Sequence, residues 1–207
     1  MKKLITLLAI VMAWISQAQI SQGNSLINLS VGFGLTTQAS AFNGVAGITS
    51  TLKTKVPPVN ISYEYAVQDN ITVGIFGAYS AQQNVISYEQ PGDPFDPNSQ
   101  TETINITTDY KYAFVGGLAN YHFDFIDNEN FDLYAGIKLG YLSFSSETSV
   151  DLTDFPSNFG VSDISGIVYG GQLGLRYFFS DSLAAHLNLG YGVSYVNVGL
   201  TYKLGGY

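Results

Sequence analysis

The chain has 207 residues, a formal charge of −8, only 12% charged residues and no cysteine, with 22 glycines, 15 tyrosines and 13 phenylalanines. That balance excludes disulfides, thiolate metal sites and a lipoprotein anchor. It also disfavours nucleic acid as a partner. After the N-terminal region no apolar run reaches the roughly 18 residues of a membrane-crossing helix.

Residues 1–18 read as a secretory signal. Lys2 and Lys3 form the charged region, Leu4 to Ile15 is a short apolar stretch, and Ser16-Gln17-Ala18 is a small-residue cleavage site. The mature chain, residues 19–207, keeps six cations against 16 acidic residues, a formal charge of −10. Apolar and polar residues then alternate with period two, the mark of strands with one apolar face. Eight strands are predicted: Leu26–Thr37, Val59–Val67, Ile71–Ala81, Tyr110–Phe125, Phe131–Phe144, Ser165–Phe179, Leu183–Tyr191 and Tyr195–Leu204. In the first, Ile27, Leu29, Val31, Phe33 and Leu35 share the apolar face. The fourth mixes its signals. Tyr110, Tyr112 and Phe114 suggest one face, Ala119, Tyr121, Phe123 and Phe125 the other, which predicts a bulge near Gly116-Gly117.

The connections alternate in length. Short polar turns such as Gln68-Asp69-Asn70, Asp127-Asn128-Glu129-Asn130 and Ser180-Asp181-Ser182 stand against long loops at Asn43–Pro58, Gln83–Asp109 and Ser145–Asp163. Around Gly192–Ser194 the last connection is read as a tight extracellular hairpin. Short turns on one side and long loops on the other suit an outer-membrane barrel better than a soluble sandwich, the competing reading. Tyr63, Tyr65, Tyr121, Phe123, Tyr177, Phe179 and Tyr202 gather beside the short turns, as a periplasmic aromatic girdle would.

With the signal, eight strands, loop asymmetry, Asn120-Tyr121-His122-Phe123 and the closing strand Val198-Gly199-Leu200-Thr201-Tyr202-Lys203-Leu204, the chain resembles the small eight-stranded outer-membrane β-barrel family of the OmpA, OmpX and opacity-protein type. The resemblance implies an all-β, antiparallel up-and-down transmembrane barrel in the outer membrane of a Gram-negative bacterium. It also implies contact with lipid and lipopolysaccharide and insertion by the barrel-assembly machinery, which reads a terminal aromatic. Leu204 stands where that aromatic is expected, and Tyr207 follows.

An eight-stranded barrel is just wide enough for side chains to fill it. The inward face is predicted to carry Glu64, Lys138, Gln172, Arg176, His186 and Asn188. Buried charges need partners, so a Glu64–Arg176 ion pair is expected, with Lys138 or His186 adjacent. Such a cluster is either a plug or a gate for a narrow ion or small-solute channel. A lipid-modifying enzyme would need a nucleophile with His in reach. His122 and His186 are the only histidines, and neither has a Ser at a useful spacing, so no catalytic residues are expected. Asp93, Asp96 and Asp109 lack the spacing of a calcium loop, and no metal or cofactor is expected. Phe42, Tyr88, Phe95, Phe155 and Phe159, in the long loops, are candidate contacts for an extracellular partner. The leading functional expectation is a non-enzymatic scaffold that presents its outer loops.

Overall fold

The computed structural model describes residues 20–34, 48–90, 100–124, 130–151 and 159–205. They form β1 (Ser25–Phe33), β2 (Ile48–Gln68), β3 (Ile71–Gln90), β4 (Glu102–Phe123), β5 (Phe131–Val150), β6 (Phe159–Phe178), β7 (Leu183–Gly190) and β8 (Val196–Leu204). Each strand pairs antiparallel with the next, and β8 pairs with β1 from Ser25↔Leu204 to Phe33↔Val196, closing an up-and-down barrel. No helix among the described residues is long and apolar enough to cross a membrane.

Alternation is turned inside out relative to a soluble fold. In β1, Ile27, Leu29, Val31 and Phe33 are exposed while Leu26, Asn28 and Ser30 are buried. The exposed apolar belt is bounded by two aromatic levels. Tyr63, Tyr65, Tyr121, Tyr177, Phe179 and Tyr202 mark the lower, and Phe33, Tyr79, Tyr141, Tyr169, Tyr191 and Tyr195 the upper. From Phe131 to Tyr141 in β5 the strand rises about 33 Å at about 3.3 Å per residue. A tilt of about 40° turns that into about 25 Å of height, the apolar band of an outer-membrane barrel.

Three expectations are corrected. First, the long loops are mostly strand. β2 begins at Ile48, β3 and β4 stay paired out to Gln90↔Glu102, and β5 runs to Val150. Above the upper girdle both faces of a strand meet water, so the polar, Thr-rich segments Ile48–Val56 and Thr103–Asp109 need no apolar face to stay extended; their β-branched residues suffice. Pro57-Pro58 lies inside β2, where the register slips between Val56 and Val59, because proline has no N–H for the ladder. Second, β1 ends at Phe33 rather than Thr37; residues 35–37 are outside the described set.

The third correction concerns β4. It has no bulge: its register runs unbroken from Ile71↔Tyr121 to Gln90↔Glu102 on one side and from Phe123↔Leu133 to Ile106↔Val150 on the other. Tyr112 and Phe114 are buried, and Tyr121 is exposed. The aromatics change face without any shift in register because the strand leaves lipid below and meets an apolar lumen above. That lumen is therefore not uniformly small and polar. Phe76, Ala78, Tyr112, Phe114, Leu118 and Val193 form a buried cluster, with Tyr110, Leu142, Phe144 and Val168 packed against it.

Candidate functional site in the lumen

The barrel is filled on three levels. At the periplasmic end Ile20, 1% exposed, packs against Leu26 and Ala66. Gly23 N–H donates to the Ala66 carbonyl, and Ala66 N–H to the Asn24 carbonyl, which ties this leading segment to β2 as a stopper.

Above it lies a ring of charge. Arg176, fully buried on β6, donates from Nη2 to Glu64 Oε1 on β2 and from Nη1 to Asp132 Oδ2 on β5, both at 2.8 Å. Asp132 Oδ1 is 2.7 Å from His122 Nδ1 on β4. His122 Nε2 is 3.1 Å from Thr72 Oγ1 on β3, and Thr72 donates to Glu64 Oε2 at 2.9 Å. The circuit is closed. Asn120 also donates to Glu64 Oε2, and Asn28 to Oε1. His186 Nδ1 is 2.9 Å from Thr201 Oγ1, which donates to Asn28 Oδ1. All eight strands thus reach the network. The Tyr134 ring lies 4.0 Å from the Arg176 Cζ. A cation this deep is tolerable because two carboxylates and an aromatic face replace its water.

The strands deliver these groups by parity. Arg176 stands opposite Asp132 and His186 in the ladders of β6, and Glu64 is opposite Leu26 and Gly74. Gly174 faces Tyr134 across the same ladder; a Cβ there would collide with the Tyr134 ring, so a glycine is needed for the ring to lie flat beneath the guanidinium.

Glu64 and Arg176 are therefore brought together, and His186 is joined to them through Thr201 and Asn28. Lys138 is not in the ring. Its Nζ lies 5.3 Å above the Phe76 ring, and it borders a cavity of ≈30 Å³ shared with Glu64, His186 and Asn188. Gln172 donates to Asn120 Oδ1 at 2.5 Å. The third level is the aromatic cluster, capped by Val193 from the β7–β8 turn, which folds inward; Ser194 of that turn occupies the space a side chain on Gly32 would need.

Asp132, His122, Thr72 and Tyr134 were not among the expected lumenal residues. Asp132 was legible, since it alternates between outward Phe131 and Leu133 near the start of β5. His122 follows outward Tyr121 in the same way. Together Asp132, His122 and Thr72 have the connectivity of an acid–base–nucleophile triad. The hydroxyl is fully buried, however, and donates to a carboxylate rather than to the imidazole that would activate it. Among the loop candidates, Tyr88 is exposed on β3 rather than in a loop, and Phe159 opens β6. Phe42, Phe95 and Phe155 lie outside the described residues, as does Tyr207.

A family model described as "Outer membrane protein beta-barrel domain" matches residues 4–205. No curated protein matches the chain. Among solved structures, Ail, the attachment invasion locus protein of Yersinia pestis, is 16% identical, with 88% of this chain and 99% of that chain covered and a TM-score of 0.41. OprG from Pseudomonas aeruginosa is 14% identical, with 92% and 100% covered and a TM-score of 0.45. The outer membrane protein W of E. coli is 14% identical, with 89% and 99% covered and a TM-score of 0.43.

Proposed function

The chain belongs to the outer membrane protein β-barrel family, and on that premise we propose that it is a non-enzymatic scaffold whose lumen is sealed and whose business lies outside the cell. It resides in the outer membrane of a Gram-negative bacterium, among lipid and lipopolysaccharide. The observation that carries the proposal is the filled lumen: an Ile20 stopper, a ring of buried charge and an aromatic plug stand in series. A barrel that passes nothing still offers a platform. Here β2 to β6 rise above the upper girdle while β1, β7 and β8 stop near it, so the tall wall and its connections are the surface for an extracellular partner. The same reading has residues 1–18 removed on secretion and the barrel-assembly machinery inserting the mature chain.

Planar-bilayer recording tests it. The folded barrel should show no discrete openings, and stepwise conductance in the wild type would overturn the sealed scaffold. One observation favours a second reading, a narrow gated channel: Lys138 and Glu64 border one cavity, so Glu64 has another cation within the lumen to turn to. Openings that change in amplitude or frequency with Glu64→Ala would select that reading.

A further inference from the structure

Glu64 and Asp132 are acceptors only, and their oxygens are already engaged. Glu64 Oε1 accepts from Arg176 and Asn28, and Oε2 from Asn120 and Thr72. Asp132 Oδ2 accepts from Arg176, and Oδ1 lies 2.7 Å from His122 Nδ1.

Between the stopper and the aromatic plug the described residues thus place two carboxylates, Glu64 and Asp132, which Arg176 bridges, and a second basic side chain, Lys138, that stands apart from them. Lys138 has neither an ion-pair nor a hydrogen-bond partner among the described residues; its Nζ lies over the Phe76 face, across the cavity from Glu64. Its neighbours across the two ladders of β5 are Gly170, which has no side chain, and Leu118, whose side chain has no acceptor. An ammonium held inside a barrel without an acceptor is costly.

Glu64 borders the cavity beside it, but both oxygens of that carboxylate are taken by Arg176, Asn28, Asn120 and Thr72, and the rest of the polar lining offers donors. Asn197 accepts from Asn60 and Ser194 through Oδ1, which leaves its amide nitrogen uncommitted. Ser62 accepts from Asn28 and keeps its hydroxyl hydrogen. Ser30 lines the same space. Asn188 Oδ1, an acceptor without a partner, borders it too and suits the ammonium rather than an anion. At ≈30 Å³ the cavity has room for about two waters, or for one monatomic ion.

We propose that this cavity is a binding site for a single small monovalent anion, a halide in its simplest form, held by Lys138 with Asn197, Ser30 and Ser62 as neutral donors. The anion gives Lys138 a partner that leaves the Glu64–Arg176–Asp132 bridge undisturbed.

Bromide is the probe. The folded full-length barrel in detergent is exchanged into gluconate and titrated with bromide at constant ionic strength. We expect one anomalous bromine peak within hydrogen-bond reach of Lys138 Nζ in crystals, and an unfolding midpoint that rises with bromide but not with sulfate, which is too large for the cavity. Lys138→Met should abolish both effects and Lys138→Arg should keep them. A wild-type lumen without a bromine peak, or with waters alone, overturns the proposal. So does a midpoint indifferent to the anion, or a peak that survives Lys138→Met. Should Lys138→Met fail to fold, the wild-type titration and Lys138→Arg decide alone.

Discussion

Arg176→Met is the most revealing single change. It removes one cation from between two carboxylates, each at 2.8 Å, and preserves most of the side-chain volume. Taking one partner from a buried pair costs about 3–5 kcal/mol. Glu64 keeps Asn28, Asn120 and Thr72 as donors, so its loss is cushioned. Asp132 keeps His122, and the two carboxylates now face each other without a bridge. A total of about 4 kcal/mol is expected. Arg176→Lys retains the charge but reaches only one carboxylate, lacking the planar fork; about half that loss is expected. The only tryptophan is Trp14, in the predicted signal, so folded and unfolded fractions are best read in urea by the mobility of unheated protein on a detergent gel. A loss below about 1 kcal/mol for Arg176→Met, or equal losses for Met and Lys, would refute the idea that a forked cation bridging both acids holds the ring.

Other changes probe the surroundings. Gly174→Ala should destabilise by about 1–3 kcal/mol through overpacking against the Tyr134 ring, and Tyr134→Ala in the same chain should relieve that collision, a coupling that gel-monitored unfolding of the double variant would read. Lys55→Ala breaks a 2.6 Å pair with Asp109 that is substantially exposed; it should cost under about 1 kcal/mol and less still in high salt. Asp124, in the periplasmic turn after β4, has its carboxyl pushed up by burial and then by Asp132 and Asp69, with His122 opposing. Its raised value means that the charged form disfavours the fold: the penalty is absent in acid and sets in as pH rises through the raised value. Asp124→Asn should therefore raise the unfolding midpoint at neutral pH and leave it unchanged in acid, and a pH series of urea midpoints checks the sign.

How much was legible depended on what each residue faced. Within the membrane belt, lipid enforces strict alternation, and β7, β8 and the start of β1 could be placed almost to the residue, from Leu187 and Leu189 or from Ile27, Leu29 and Val31. Above the belt that constraint disappears. Ile48–Val56 and Thr103–Asp109 look like loop because they are polar, yet each finds a partner strand, the first with one slip at Lys55. Polarity reports the solvent around a segment, not its backbone. The expectation of a β4 bulge fails for a related reason: an aromatic on a strand does not by itself mean lipid. Phe114 instead meets Phe76 edge-on at 4.7 Å inside the barrel, so the apolar label was right and the compartment was wrong.

The ring was half legible for a different reason. Glu64 and Arg176 announce themselves, because a lone arginine within a membrane span requires an acid, and parity puts both inward. The third and fourth members require knowing the register between strands. Arg176 meets Asp132 because β5 and β6 are paired so that residue numbers across the ladder always sum alike, from Phe131↔Tyr177 to Ser145↔Asp163. No short-range pattern encodes that sum, since it is set by where the distant connection closes. His122 then enters because Asp132 has a second oxygen to satisfy, and Thr72 because His122 has a second nitrogen. Each step follows from the one before, but the first step is long-range. That dependence explains why a sequence reading could find the charge pair and yet miss that the pair is one side of a closed circuit whose carboxylates are fully engaged, with Lys138 left outside it.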